Sequence, residues 1–313
     1  MRIGTGIFAA LLGIAACKDG TGPRVLAGPV TVVFTDSTGH ASVMRSDSAP
    51  VSISSLDMTE LFASSTDAVL GYKLGRLSIF RFSDPVPRPF EDRQESAALI
   101  TRGALSADGK RLAYATGINS DIFLHTVDIT TGARDSINVA NKGLDAAPQI
   151  IFSVPIWSPN SENVAFLLPN FLGMQILLYE RSTRRLEVKP IAIPSSTFFE
   201  VLDGRPQWSS NGTIRFLARR KEDGIMLDTL VVLQIDPKQP LPQSAIAYKA
   251  VPPDSLAITG AWSYSFSRDG KTAAFGMSTG GRAATMVMRQ GRSVLETLLY
   301  ADGAAPADLV LIP

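Results

Sequence analysis

The sequence predicts an all-β fold, a β-propeller of four-stranded blades. Three observations lead there. A short loop-then-strand unit recurs about every 50 residues. Runs rich in β-branched and aromatic residues follow each unit, as strands do. Beyond the first 16 residues no segment keeps a helical period, and 25 glycines and 20 prolines are spread along the chain as turn residues rather than gathered into a linker.

The unit is clearest as Ser106-Ala107-Asp108-Gly109-Lys110-Arg111-Leu112-Ala113-Tyr114 and Ser267-Arg268-Asp269-Gly270-Lys271-Thr272-Ala273-Ala274-Phe275. Variants start at Ser158 (Ser-Pro-Asn-Ser-Glu) and Ser209 (Ser-Ser-Asn-Gly-Thr), and the faintest starts at Ser55, with Asp57 two residues on. The serines thus stand at 55, 106, 158, 209 and 267. An apolar residue precedes four of them: Leu105, Trp157, Trp208 and Phe266. Asp or Asn, usually with Gly, suits a tight turn that needs one residue at positive φ. A second strand follows in Leu77–Phe82, Ile122–Ile129, Ile176–Tyr179, Leu230–Ile235 and Thr285–Met288. A third follows in Ser136–Val139, Val188–Ile193 and Leu295–Tyr300. With the strand before the serine, each repeat has four strands, which is a propeller blade.

The Ser-x-Asp-Gly-Lys-x-x-Ala-Tyr/Phe unit resembles the WD40-like repeat of TolB-type propeller proteins, over about residues 50–300. The resemblance implies the fold. TolB proteins also carry an α/β domain that engages partners. No counterpart is visible here, so the role in envelope integrity is not carried over.

Five repeats are visible, and the ends add strand candidates at Val30–Thr35, Ala41–Arg45 and Leu309–Ile312. Propellers avoid a free edge by building one blade from both termini. Six blades with one split between the termini is the expectation, and five with flanking strands the alternative. Residues 24–313 form the single propeller domain.

The N-terminus reads as an export signal over residues 1–16. Arg2 is a short positive region, Ile7–Ile14 is apolar, and Ala15 and Ala16 are small. The apolar stretch is shorter than the roughly 20 residues that a spanning helix needs. Ile14-Ala15-Ala16-Cys17 resembles the bacterial lipobox, and Cys17 is the only cysteine. The expectation is cleavage before Cys17, lipid on its thiol, and a polar tether over residues 17–23. In Gram-negative lipoproteins Asp after the cysteine favours the inner membrane. Lys18 stands there instead, so the expected location is the outer membrane, facing the periplasm.

Thirty basic residues balance 29 acidic ones. A polyanion binder usually carries a basic excess, so nucleic acid is not an expected partner. Gly276-Met277-Ser278-Thr279-Gly280 matches the nucleophile elbow in spacing, but the only histidines, His40 and His125, both precede it and a strand candidate follows. It reads as a turn between strands. Two histidines and one lipidated cysteine do not make the usual zinc sites, so neither metal nor cofactor is expected. His125 reads as a structural histidine within a strand. No catalytic residue is assigned. A carbohydrate-active or other hydrolytic propeller, with carboxylates converging at the channel mouth, is the alternative.

The expected function is binding of a protein or other envelope component through the long-loop face and not the face of the Ser-x-Asp-Gly turns. The Ser-x-Asp-Gly turns fall on one face. The opposite face is expected to carry long connections, at about 65–75, 116–121, 141–153, 168–174, 194–205, 218–228, 248–261 and 277–283. Loops on a rigid scaffold carry recognition, and aromatic or arginine anchors dominate interfaces. Phe171, Phe198, Phe199, Arg219 and Arg220 are therefore the candidate binding residues.

Overall fold

The computed structural model describes residues 31–35, 40–45, 51–57, 60–65, 68–73, 76–82, 84–89, 99–100, 102–118, 121–139, 153–170, 173–192, 198–201, 205–222, 225–251, 258–279, 282–301 and 308–312. The export signal, Cys17, the tether and Phe171 lie outside them.

All described elements are strands. The first three are β1 (Thr31–Thr35), β2 (His40–Arg45) and β3 (Val51–Asp57). The next sheet runs outward as β4 (Glu60–Ser64), β5 (Ala68–Lys73), β6 (Arg76–Arg81) and β7 (Asp84–Pro89). In the third, the short β8 (Leu99–Ile100) and β9 (Ala104–Leu105) both pair with β10 (Arg111–Ile118), followed by β11 (Asp121–Asp128) and β12 (Arg134–Asn138). The fourth is β13 (Ile156–Trp157), β14 (Asn163–Asn170), β15 (Gly173–Glu180) and β16 (Arg185–Ile191). In the fifth, β17 (Phe198–Val201) and β18 (Gln207–Trp208) share β19 (Ile214–Glu222), with β20 (Ile225–Ile235) and β21 (Ala245–Ala250) outside it. The sixth is β22 (Ile258–Phe266), β23 (Thr272–Thr279), β24 (Arg282–Arg289) and β25 (Glu296–Ala301). The last strand, β26 (Asp308–Ile312), returns to the first sheet. It pairs antiparallel with β1, Ile312 opposite Thr31 and Asp308 opposite Thr35. Both chain ends therefore build one sheet, in the order β26-β1-β2-β3.

The core lies between neighbouring sheets. One cluster joins Ala104, Ala113 and Leu124 to Trp157, Val164 and Phe166 of the next sheet. Another joins Ile156 and Ile176 to Trp208, Phe216 and Val232, and these to Tyr264, Phe275 and Met286. A strand covered on both faces loses the polar alternation of a half-exposed one. In β14 all five residues Val164, Ala165, Phe166, Leu167 and Leu168 are buried. Leu112–Ala115 of β10 and Phe216–Ala218 of β19 repeat the pattern.

Three expectations need correction. Ser55 sits inside β3, not ahead of a turn. Its true counterpart is Ser65, which follows the inner strand β4, is fully buried, and donates its N–H to the Ala68 carbonyl at 2.8 Å. The unit there has no Gly-Lys, which hid it. Second, the connections expected to be long are mostly tight. Register runs to Lys73↔Arg76, Ile118↔Asp121, Asn170↔Gly173, Glu222↔Ile225 and Thr279↔Arg282, leaving two residues between the strands in each case. Third, Met277, Ser278 and Thr279 of the elbow-like motif belong to β23 and pair with β24, so that serine stands in a ladder and not in the connection expected between two strands.

Candidate functional site

Three of the turns repeat the same hydrogen bonds, and a fourth is a shortened form. Ser106 Oγ donates to Asp108 Oδ1 (2.5 Å) and accepts from Arg111 N (2.9 Å), while Lys110 N donates to the same Oδ1 (3.1 Å). Ser158 Oγ meets Asn160 Oδ1 at 2.7 Å and Asn163 N at 2.8 Å. Ser267 Oγ meets Asp269 Oδ1 at 2.7 Å and Thr272 N at 3.0 Å. The Ser209 turn is one residue shorter, with Ser209 Oγ on Asn211 Oδ1 at 2.7 Å and on the Thr213 carbonyl at 2.8 Å. A short oxygen-bearing side chain at the third position is required because it caps its own turn. The fourth position lies at positive φ in all four: Gly109 (66°), Ser161 (59°), Gly212 (89°) and Gly270 (69°).

That fourth residue also links blades. Its carbonyl accepts from Arg81 Nη2 at Gly109 (3.4 Å), from Arg111 Nη1 at Ser161 (2.6 Å) and from Arg215 Nη1 at Gly270 (2.6 Å). In each case the arginine comes from the preceding sheet. At Gly212 the donor is Trp208 Nε1 of the same repeat (3.1 Å). A Cβ added at Gly270 would lie 2.8 Å from Arg215 Cδ and 3.2 Å from Ser209 Cβ, whereas one at Gly212 would meet nothing within 4 Å. Gly212→Ala is therefore expected to cost about 1 kcal/mol, the left-handed backbone alone. Gly270→Ala should cost roughly 2–3 kcal/mol, because the anchored arginine has to move as well. Chemical denaturation of both variants checks this, and equal losses would show that the link between blades contributes nothing.

Burial of the Asp108 and Asp269 carboxyls would raise their pKa. The hydrogen bonds from the turn and the charges of Arg111 and Lys110, or of Lys271 and Arg215, outweigh it and hold both below the ordinary 3.8. Their contribution to stability is full above that value and is lost as pH falls through the lower folded-state values. Asn160 and Asn211 build the same turn without a charge. Asp108→Asn with Asp269→Asn is therefore expected to fold and to flatten the acid side of a Tm-against-pH curve. An unchanged acid slope would contradict the assignment.

The second position of the motif is free of these duties. Ala107, Pro159, Ser210 and Arg268 occupy it, and all four line one cavity of about 110 Å³. The inner ends of four consecutive sheets supply the rest of the lining, among them Leu105, Pro155, Trp157, Arg205, Trp208 and Phe266. The cavity thus sits among the innermost strands at the face that carries the turns. Its walls are hydrogen-bonded to neighbouring sheets. Trp157 is buried and donates Nε1–H to the Ala104 carbonyl of the preceding sheet at 3.0 Å. Arg205 is buried, with Nη1 donating to the Leu309 carbonyl of β26 (2.7 Å) and to Ser263 Oγ (2.9 Å). Ser263, at φ 53°, also receives Leu309 N–H at 3.3 Å. The C-terminal strand is thereby fixed beside the cavity wall.

Four of the five sequence-predicted binding residues come together, but in paired strands and not in a loop. Phe198 and Phe199 belong to β17, and Arg219 and Arg220 to β19, with Phe199 opposite Arg220 and Glu200 opposite Arg219. The β-branched and aromatic content of this segment explains why it joins a sheet. The cavity-lining second positions escaped the sequence reading because they vary in chemistry, and that variation was itself the signal.

His125 is buried, stacked on Tyr114, with Thr116 Oγ1 on Nε2 and Ser136 Oγ on Nδ1, both at 2.7 Å. It is the satisfied structural histidine expected. Among the described residues no three His, Cys, Asp or Glu side chains gather as a metal site.

No family model matches the chain, and no curated protein matches it. Solved structures do. TolB from Acinetobacter baumannii superposes with a TM-score of 0.61 at 14% identity, over 93% of this chain and 68% of that one. A putative TolB from Agrobacterium tumefaciens gives 0.55 at 13%, over 90% and 91%. An oligogalacturonate lyase in complex with manganese gives 0.51 at 11%, over 84% and 71%. The chain has the β-propeller fold that TolB-type proteins share.

Proposed function

We propose that the mature protein is a lipid-anchored, six-bladed propeller that binds a protein or other envelope component without catalysis. Acyl chains on Cys17 hold it at the outer membrane, facing the periplasm. The likeness to TolB-type propellers supports a protein partner. The observation that carries the reading is the convergence of Ala107, Pro159, Ser210 and Arg268 on one cavity. Equivalent positions of a repeat that differ in chemistry, on an invariant turn scaffold, are where recognition resides. Cavities for small-molecule substrates usually measure about 300–1,000 Å³. This one holds a single side chain, which suits a partner's anchor residue.

The likeness to a lyase favours the carbohydrate-active alternative. A hydrolytic site, unlike that of a lyase, needs two carboxyl groups across the scissile bond, and no Asp or Glu is among the described residues that line this cavity.

The test is capture of the detergent-solubilised lipoprotein from its own membranes, with Ser210→Trp as the probe. Ser210 is exposed, so the variant should fold, and its indole should cover the cavity opening. Loss of the co-captured partner by about tenfold or more, the weight of one anchor residue, is the expected result. Retention of the partner, with loss instead in Phe171→Ser, would place binding on the opposite face.

A further inference from the structure

The chemistry of the cavity specifies more than a position. The inference that follows rests on the mouth of the channel being the binding site. Its described lining holds two cations, Arg205 and Arg268, and no anion. Arg205 is buried and committed to Leu309 and Ser263. Arg268 is exposed at the rim. The carboxylates of two of these turns, Asp108 and Asp269, are charged, and the cations that face them are Arg111 and Lys110, and Lys271 and Arg215, rather than Arg268. Asp108 Oδ1 is taken up by Ser106 Oγ and Lys110 N, and Asp269 Oδ1 by Ser267 Oγ and Lys271 N. Lys271 Nζ adds a cation 4.0 Å from Asp269 Oδ2. The floor is apolar, formed by the Trp157 and Trp208 rings between Pro155 and Pro206. Both indole N–H groups are already used on backbone carbonyls, so the floor offers no donor to a polar ligand.

We infer that the cavity takes an acidic segment of a protein partner: one apolar side chain on the tryptophan floor, with an adjacent carboxylate on the Arg268 guanidinium. A guanidinium at a cavity rim pairs with a carboxylate through two parallel N–H···O bonds. Its field raises the encounter rate at low ionic strength. The cavity, about 110 Å³, is somewhat smaller than the roughly 150 Å³ void that accepts benzene, which limits the anchor to one branched aliphatic group.

The carboxylate comes either from a chain terminus or from Asp or Glu next to the anchor. Three probes distinguish these: N-acetyl-leucine, N-acetyl-aspartyl-leucinamide and the neutral N-acetyl-asparaginyl-leucinamide. Binding to the full-length lipoprotein in detergent is followed through its three Trp indole N–H resonances. At least one acid probe should shift the Trp157 and Trp208 signals and bind about tenfold or more tightly than the neutral one, the preference falling with salt. Arg268→Gln should abolish the preference, and Arg268→Lys should restore part of it. Which acid probe binds better identifies the source. Equal binding of acid and neutral probes, or a preference that persists in Arg268→Gln, overturns the inference, as does binding of none of them. Capture lost in Ser210→Trp while no probe binds would leave the channel-mouth reading standing and remove only the acid. Acid-selective binding with capture unchanged in Ser210→Trp would do the reverse.

Discussion

Truncation of Trp157 to alanine is expected to destabilise the fold by about 3–5 kcal/mol, which in a chain of this size lowers Tm by roughly 10 °C. The indole is buried in the cluster between two sheets and its N–H satisfies the Ala104 carbonyl across that seam. Removal opens a cavity and leaves that carbonyl without its indole donor, two losses that add. Trp157→Phe keeps most of the volume and drops only the hydrogen bond, so it should cost about 1–2 kcal/mol. Trp208 holds the equivalent place in the repeat, but its N–H returns to Gly212 within its own turn. Its Phe variant should therefore loosen the turn and not the seam between sheets. Calorimetry of the three variants, with hydrogen exchange at Ala113 and Ala165, separates the two. Equal and small losses throughout would mean that the seam does not depend on these rings.

The second large effect concerns anchoring. Cys17→Ser is expected to move the protein from the detergent phase to the aqueous phase, or to leave it as an uncleaved precursor. Each buried methylene adds about 0.8 kcal/mol, so more than one acyl chain makes the difference close to all-or-none. Phase partitioning and the mass of the mature N-terminus read it directly. A serine variant that matures and partitions as the wild type does would overturn the lipid anchor.

The fold was legible because its signal is local. A serine, an Asp or Asn two residues on and a residue at positive φ, glycine in three copies and Ser161 in the fourth, specify one turn, and four copies of that turn specify a repeat. The copy at Ser65 was not legible, because without Gly-Lys only the hydrogen bond to Ala68 identifies it. Connection lengths were overestimated because polar residues such as Asn119 and Ser120 read as loop. In fact the ladder persists to Ile118↔Asp121 on either side of them. The links of Arg111 to Ser161 and Arg215 to Gly270 join residues 50 and 55 positions apart, and nothing in the local pattern announces them. The cavity was hidden for the same reason. Ala107, Pro159, Ser210 and Arg268 share a position in the repeat, but only closure of the inner strands makes them neighbours. Phe198, Phe199, Arg219 and Arg220 were recognised as a group for their chemistry, and their cross-strand pairing came from register that sequence does not disclose.

The central claim is that a partner seats at the mouth of the channel on the turn face. The most direct measurement places a photo-reactive phenylalanine analogue at Lys271, which is exposed in the same turn as Arg268 and outside the cavity lining, and separately at Phe171, in the membrane-bound protein. Cross-linking from position 271 to one partner, through a peptide that contains an acidic residue next to an apolar one, is the predicted result. Cross-linking from position 171 with none from 271 would contradict the account.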